Sequence, residues 1–183
     1  MKTNLWLSFA MIFCLGMLLS CVKDTDFDQA DDIALTPVVE LDLIFFTLTP
    51  PDFFDSITQA PRLTVVDTTE IRFLDDTGIQ ENLKRAEFLF SFTNSIPRSF
   101  NVDFQFLSEQ NDTTYTTQTT VNQGTVASPE ITLFTQNVEG EEILQLTQAN
   151  KVVVSVTIPS TDQNLEGALN LQSKTTYFLE IKD

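Results

Sequence analysis

From about residue 37 onward the apolar residues fall at every second position, and this period of two constrains the fold more than any other feature. Val39, Leu41, Leu43 and Phe45 alternate with Glu40 and Asp42. Phe88, Phe90 and Phe92 alternate with Leu89, Ser91 and Thr93, and Phe100, Val102, Phe104 and Phe106 alternate with Asn101, Asp103 and Gln105. The same holds for Val152, Val154, Val156 and Ile158 against Ser155 and Thr157, and for Tyr177, Leu179 and Ile181 against Glu180 and Lys182. A strand turns successive side chains to opposite faces, so each segment has one face for a core and one for water. A helix would scatter the same residues around its circumference. Phe, present in 16 copies, and the β-branched residues both suit a pleated surface.

Weaker strands are expected at 62–67, 70–74, 114–121, 131–135 and 167–172. Turn-forming residues separate them at Pro50-Pro51, Asp75-Asp76-Thr77-Gly78, Asn94-Ser95-Ile96-Pro97, Glu109-Gln110-Asn111-Asp112 and Ser160-Thr161-Asp162. One helix is expected near 140–148, with Glu141 and Glu142 at its positive end and Ile143, Leu144 and Leu146 turned inward. A helical turn fits near 79–84. Many short strands with one helix give an all-β chain, an antiparallel β-sandwich. The stretch from Glu87 to Pro97 is weakly similar to Ig-like domains of the late-embryogenesis-abundant type, which implies an Ig-like sandwich. A small up-and-down β-barrel is the alternative. Most segments fall short of the roughly 9–11 residues that a membrane-spanning strand needs.

The first 20 residues have a different plan. Lys2 precedes an apolar run from Leu5 to Leu19, the layout of a secretory signal, and the run is short for a spanning helix of about 20 residues. Leu18-Leu19-Ser20-Cys21 resembles the bacterial lipobox, although Leu19 stands where a small or β-branched residue is usual. The resemblance implies cleavage before Cys21 and lipidation of its thiol. Two acyl chains, at about 0.8 kcal/mol per buried methylene, anchor a protein stably. The next residues, Val22-Lys23-Asp24-Thr25-Asp26-Phe27-Asp28, resemble the surface-export signal of Bacteroidota lipoproteins, with Lys23, Asp24 and Asp26 as its carriers. The resemblance implies the outer membrane and an outward-facing protein; the periplasmic leaflet is the alternative. Residues 1–20 thus read as a cleaved signal, 21–36 as an acidic tether and 37–183 as one sandwich domain.

Composition then removes several functions. The chain has no His, and its two Cys, Cys14 and Cys21, both lie in the first 21 residues. Without His or a free Cys the body lacks the usual general bases, nucleophiles and zinc ligands. Asp24-x-Asp26-x-Asp28 has the first spacing of a calcium loop, but Gln29 and Leu35 stand where that loop needs Gly and Glu. No metal or cofactor is expected. A net charge of −16 repels phosphate, so nucleic acid is not an expected partner. Asp75-Asp76 is the obvious carboxylate pair, and it reads as a solvated turn.

The expected function is that of a non-catalytic, lipid-anchored envelope protein, a binding or structural component of an outer-membrane assembly. Its partners would be the membrane, through Cys21, and an envelope protein or glycan. One alternative is a carbohydrate-binding accessory of an uptake system, which predicts a row of exposed aromatics. Another is a glycan hydrolase, which predicts two acids about 5–10 Å apart in an aromatic-lined cleft. Asp55-Ser56-Ile57, Asp67-Thr68-Thr69 and Asp112-Thr113-Thr114 resemble the O-glycosylation sequon of Bacteroidota. The resemblance makes Ser56, Thr68 and Thr113 candidate acceptors; Asp and Thr in turns are the plain reading of the same residues. Phe46, Phe53 and Phe54 are the aromatics expected to be exposed or covered by a partner.

Overall fold

The alternating segments form eight long strands: β1 (Val38–Leu48), β2 (Thr64–Glu70), β3 (Leu83–Asn94), β4 (Phe100–Leu107), β5 (Thr113–Val121), β6 (Glu130–Glu139), β7 (Lys151–Thr157) and β8 (Leu169–Leu179). A computed structural model describes residues 34–182, and its main body runs from Leu35 to Ile181. The segment 1–20 expected as a signal, Cys21, Lys23, Asp24, Asp26 and most of the expected tether lie outside the described residues.

The strands form two four-stranded sheets, one ordered β1-β8-β3-β6 and the other β2-β7-β4-β5. Every pairing within them is antiparallel. The fold is therefore an antiparallel sandwich, and the sheets do not close into a barrel. The pairs β1·β8, β2·β7, β3·β6 and β4·β5 are nested, as if one long hairpin had been rolled over itself. Eight strands in this order make a jelly roll. The Ig-like expectation is corrected here: that fold puts consecutive strands A and B in one sheet, whereas β1 and β2 lie in different sheets.

The core is a layer of aromatic rings between the sheets. Phe88, Phe90 and Phe92 of β3 and Phe100, Phe104 and Phe106 of β4 are all buried. Across the sandwich the Phe90 and Phe104 ring centroids lie 4.0 Å apart and those of Phe88 and Phe106 lie 5.0 Å apart. Tilted ring pairs of this kind add about 0.5–1.5 kcal/mol each beyond the area they bury. Val152, Val154, Val156 and Ile158 complete the layer, so β3, β4 and β7 follow the alternation of the sequence.

β1 breaks it. Asp42 pairs with Lys174 and Phe45 with Gln172, so three steps on β1 match two on β8. The extra residue is a β-bulge. Ser173 holds it: its hydroxyl accepts from the Ile44 amide at 3.0 Å and donates to the Ile44 carbonyl at 2.7 Å. Ile44 is buried and Phe45 swings to the outer face with 76% of its surface exposed.

Other boundaries moved for local reasons. The segment expected as a strand at 70–74 is a 3-10 turn over Arg72–Asp75, because β2 runs out where the Ile71 amide donates to the Asn150 carbonyl at 2.7 Å. Residues 167–172 and 177–181 belong largely to one strand, β8, bridged by the polar Gln172–Thr176 run. Two short helices form, α1 (Thr77–Asn82) and α2 (Glu141–Leu146), where one was expected with a further turn. In α2 Ile143 and Leu146 are buried, but Leu144 points to solvent at 62% exposure, as a six-residue helix has only one inward stripe.

Candidate functional site

β1 and β2 are joined by residues 49–63, long for a connection inside a compact domain, where loops of this size are commonly functional. The sequence makes it a lobe with its own structure. Asp52 accepts from the Thr49 amide at 2.7 Å and from the Thr49 hydroxyl at 2.9 Å, which closes a turn over Pro50–Phe53. Phe53 is fully buried and packs on Phe100, with ring centroids 5.7 Å apart. Phe54 bridges to Pro61, and the Arg62 guanidinium donates to the Asp52 carbonyl at 3.0 Å.

At the lobe tip, Asp55 Oδ1 accepts from the Ile57 amide at 3.0 Å, the Thr58 amide at 2.7 Å and the Thr58 hydroxyl at 2.9 Å. The Thr58 amide bond, then the other two, hold the Asp55 carboxyl below the ordinary carboxylate value of 3.8.

A second loop, 158–168, faces the lobe. Within it, Asp162 accepts from Arg98 Nη2 at 3.3 Å and from the Asn164 backbone amide at 2.9 Å. Arg98 also donates to the Ser160 hydroxyl at 3.2 Å. The loop's far end is stitched to the β3–β4 turn: the Ala168 amide donates to Ser95 Oγ at 2.8 Å and the Ser95 amide to the Ala168 carbonyl at 2.9 Å.

Between lobe and loop lies a cleft of 470 Å³. Pro50, Pro51, Phe54 and Leu165 form its apolar walls, while Ser56, Gln59, Asp162 and Gln163 supply polar groups. Small-molecule sites typically have about 300–1,000 Å³ and a similar mixture of wall and convergent polar groups. Asp162 is the one acid among the described residues lining the cleft, and Arg98 balances its charge.

A second surface surrounds Phe45. The bulge lifts its ring onto the outer face of the β1-β8-β3-β6 sheet, beside Asp42, Thr47, Asn170 and Gln172. Asn170 Nδ2 is tied to the Thr47 hydroxyl at 2.9 Å.

The structure reassigns the expected aromatics. Phe53 is buried and Phe46 and Phe54 are half-buried, so among the described residues the exposed ring is Phe45. A row of exposed aromatics is not present among the described residues. Ser56, Thr68 and Thr113 are all exposed but do not come together. Ser56 is in the lobe, whereas Thr68 and Thr113 are on β2 and β5, the two opposite edges of one sheet. Sequence reasoning missed Gln59, Asp162, Gln163 and Leu165. The turn signal Asp162-Gln163-Asn164 was there to be read, but its position opposite the lobe was not.

No protein-family model and no curated protein matches the chain. Solved structures do. The VP2 subviral particle of infectious bursal disease virus aligns at 10% identity and a TM-score of 0.49, covering 79% of this chain and 32% of that one. A protein from Parabacteroides distasonis described as secreted aligns at 14% identity and a TM-score of 0.46, covering 62% of this chain and 37% of that one. The enzymatically active domain of tailspike protein 4 from bacteriophage CBA120 aligns at 11% identity and a TM-score of 0.37, covering 84% of this chain and 20% of that one. The chain thus spans about a third of the length of the first two.

Proposed function

We propose that this protein is a non-catalytic, lipid-anchored component of the cell envelope. Cys21 carries the lipid, the acidic tether lifts the body off the outer membrane on its outward side, and the jelly roll binds or supports another envelope component. The observation that carries the binding role is the preformed cleft between the 49–63 lobe and the 158–168 loop. Both of its walls are held by internal hydrogen bonds, so a ligand would order little on arrival. The chemistry of its one acid among the described residues, Asp162, favours binding over reaction. Asp162 is committed to Arg98 and to its own turn, and glycoside hydrolysis needs two carboxylates.

The anchoring half is tested by metabolic labelling with a palmitate analogue and by protease shaving of intact cells. The wild-type chain should take up label and be shaved, Cys21→Ala should lose the label, and a paired Lys23→Ala, Asp24→Ala variant should keep the label but escape shaving. Label retained in Cys21→Ala refutes the lipid assignment, and unchanged shaving of the paired variant refutes the export signal.

A further inference from the structure

The cleft and the Phe45 face each set an aromatic ring beside polar groups, and they differ in kind. The described residues around Phe45 come from the two adjacent strands β1 and β8 alone. The cleft has two walls, and its polar groups converge on the space between them. From this geometry we infer that the cleft is a binding site for a neutral saccharide.

A pyranose ring has a C–H face that packs on an aromatic or aliphatic wall and a rim of hydroxyls that both donate and accept. The cleft offers the matching parts. Phe54, Pro50, Pro51 and Leu165 make the wall, and the Gln163 amide, the Ser56 hydroxyl, the Gln59 side chain and Asp162 form the rim. Among the described residues the Ser56 hydroxyl and the Gln163 amide have no other hydrogen-bond partner, so they are free for a ligand. Asp162 accepts from Arg98 on one oxygen and from the Asn164 amide on the other, which fixes both oxygens at the cleft edge with lone pairs to spare.

Charge selects among polar ligands. The chain carries −16 in all, no Lys or Arg is among the described residues lining the cleft, and Arg98 pairs with Asp162. Acidic sugars and phosphorylated groups are therefore repelled, and a neutral sugar is not. A cationic peptide is the competing occupant, but it would gain little from a single carboxylate that is already paired.

This assignment rests on the binding role proposed above, yet the two fail separately: a pull-down that recovers an envelope protein with the wild-type chain and not with Phe54→Ala would keep the binding role while glycan binding fails. The test is an array of neutral and acidic oligosaccharides probed with the full chain purified in detergent, followed by titration of the best neutral binder. Retention on neutral glycans is expected, with affinity falling at least tenfold in both Phe54→Ala and Gln163→Ala and unchanged in Phe45→Ala. Gln163 is exposed, so its truncation leaves the fold intact and isolates the site from stability. Retention on no neutral glycan, retention on acidic glycans alone, or binding that survives Gln163→Ala or is lost in Phe45→Ala would each overturn the proposal.

Discussion

Asn94, the last residue of β3, has no exposed surface and ties together three stretches of backbone. Its amide nitrogen donates to the Arg98 carbonyl at 2.8 Å and to the Asn122 carbonyl at 2.7 Å, and its oxygen accepts from the Ile96 amide at 2.8 Å. Asn94→Ala strips all three partners at once. Each orphaned buried group costs about 1–3 kcal/mol. Ile96 is fully buried, so its N–H takes the upper part of that range, whereas Arg98 and Asn122 border solvent and recover water. The expected loss is about 3–5 kcal/mol. With a urea slope of about 2 kcal/mol/M the unfolding midpoint should fall by roughly 2 M. Asn94→Asp sharpens the test. It keeps the acceptor for Ile96 but aims a second oxygen at two carbonyls, so at neutral pH it should be as damaging as Ala. Burial among carbonyls raises the pKa of the introduced carboxyl, so its penalty should shrink as the pH falls through that value and one donor returns. A midpoint shift under about 0.5 M for Asn94→Ala, with the slope unchanged, would falsify the account of Asn94 as the knot of this end of the sandwich.

The remaining predictions concern glycine geometry and two titrating groups. Gly167 has φ 106°, and a Cβ there would lie 2.4 Å from the Ser95 carbonyl oxygen, so Gly167→Ala should cost about 2–4 kcal/mol in urea unfolding; a neutral outcome would mean that the Ser95–Ala168 contact is looser than described. Burial pushes the Tyr177 hydroxyl up to about 12 from the ordinary 10.0. The unfolded chain therefore ionises first, and the stability tied to the neutral phenol is full below pH 10 and is lost as pH rises toward 12. A phenolate absorbance titration of the two tyrosines should show Tyr177 ionising only with unfolding, and Tyr177→Phe should flatten that loss. The lowered Asp55 pKa works in the opposite sense: its contribution is complete above the ordinary carboxylate value of 3.8 and disappears as pH falls through the lower folded value. Asp55→Asn should speed hydrogen exchange of the Ile57 and Thr58 amides at neutral pH while leaving β3 unchanged, and unaltered exchange would remove Asp55 as the organiser of the lobe tip.

What the sequence disclosed, and what it withheld, divides along the range of the interactions involved. The buried faces of β3, β4 and β7 were legible because alternation is a local property and nothing interrupts it between Phe88 and Phe92 or between Val152 and Ile158. β1 has equally good alternation and was misread at Phe45. The reason is a single hydroxyl, Ser173, that lies 129 residues away and bonds both backbone groups of Ile44. No window on β1 contains that information. Sheet order is hidden for the same cause: β1 pairs with the last long strand, so a jelly roll and an Ig-like sandwich offer the same strands and turns to a local reading. The cleft combines both cases. Each wall is written locally, in Thr49-x-x-Asp52, Asp55-x-x-Thr58 and Asp162-x-Asn164, where short polar side chains close turns on neighbouring amides. That these walls face one another depends on rolling the chain so that β1 and β8 become neighbours. The same closure that concealed the fold thus sets Phe54 of one loop opposite Gln163 of the other, which is why the binding residues sit on two turns that looked, taken singly, like ordinary connectors.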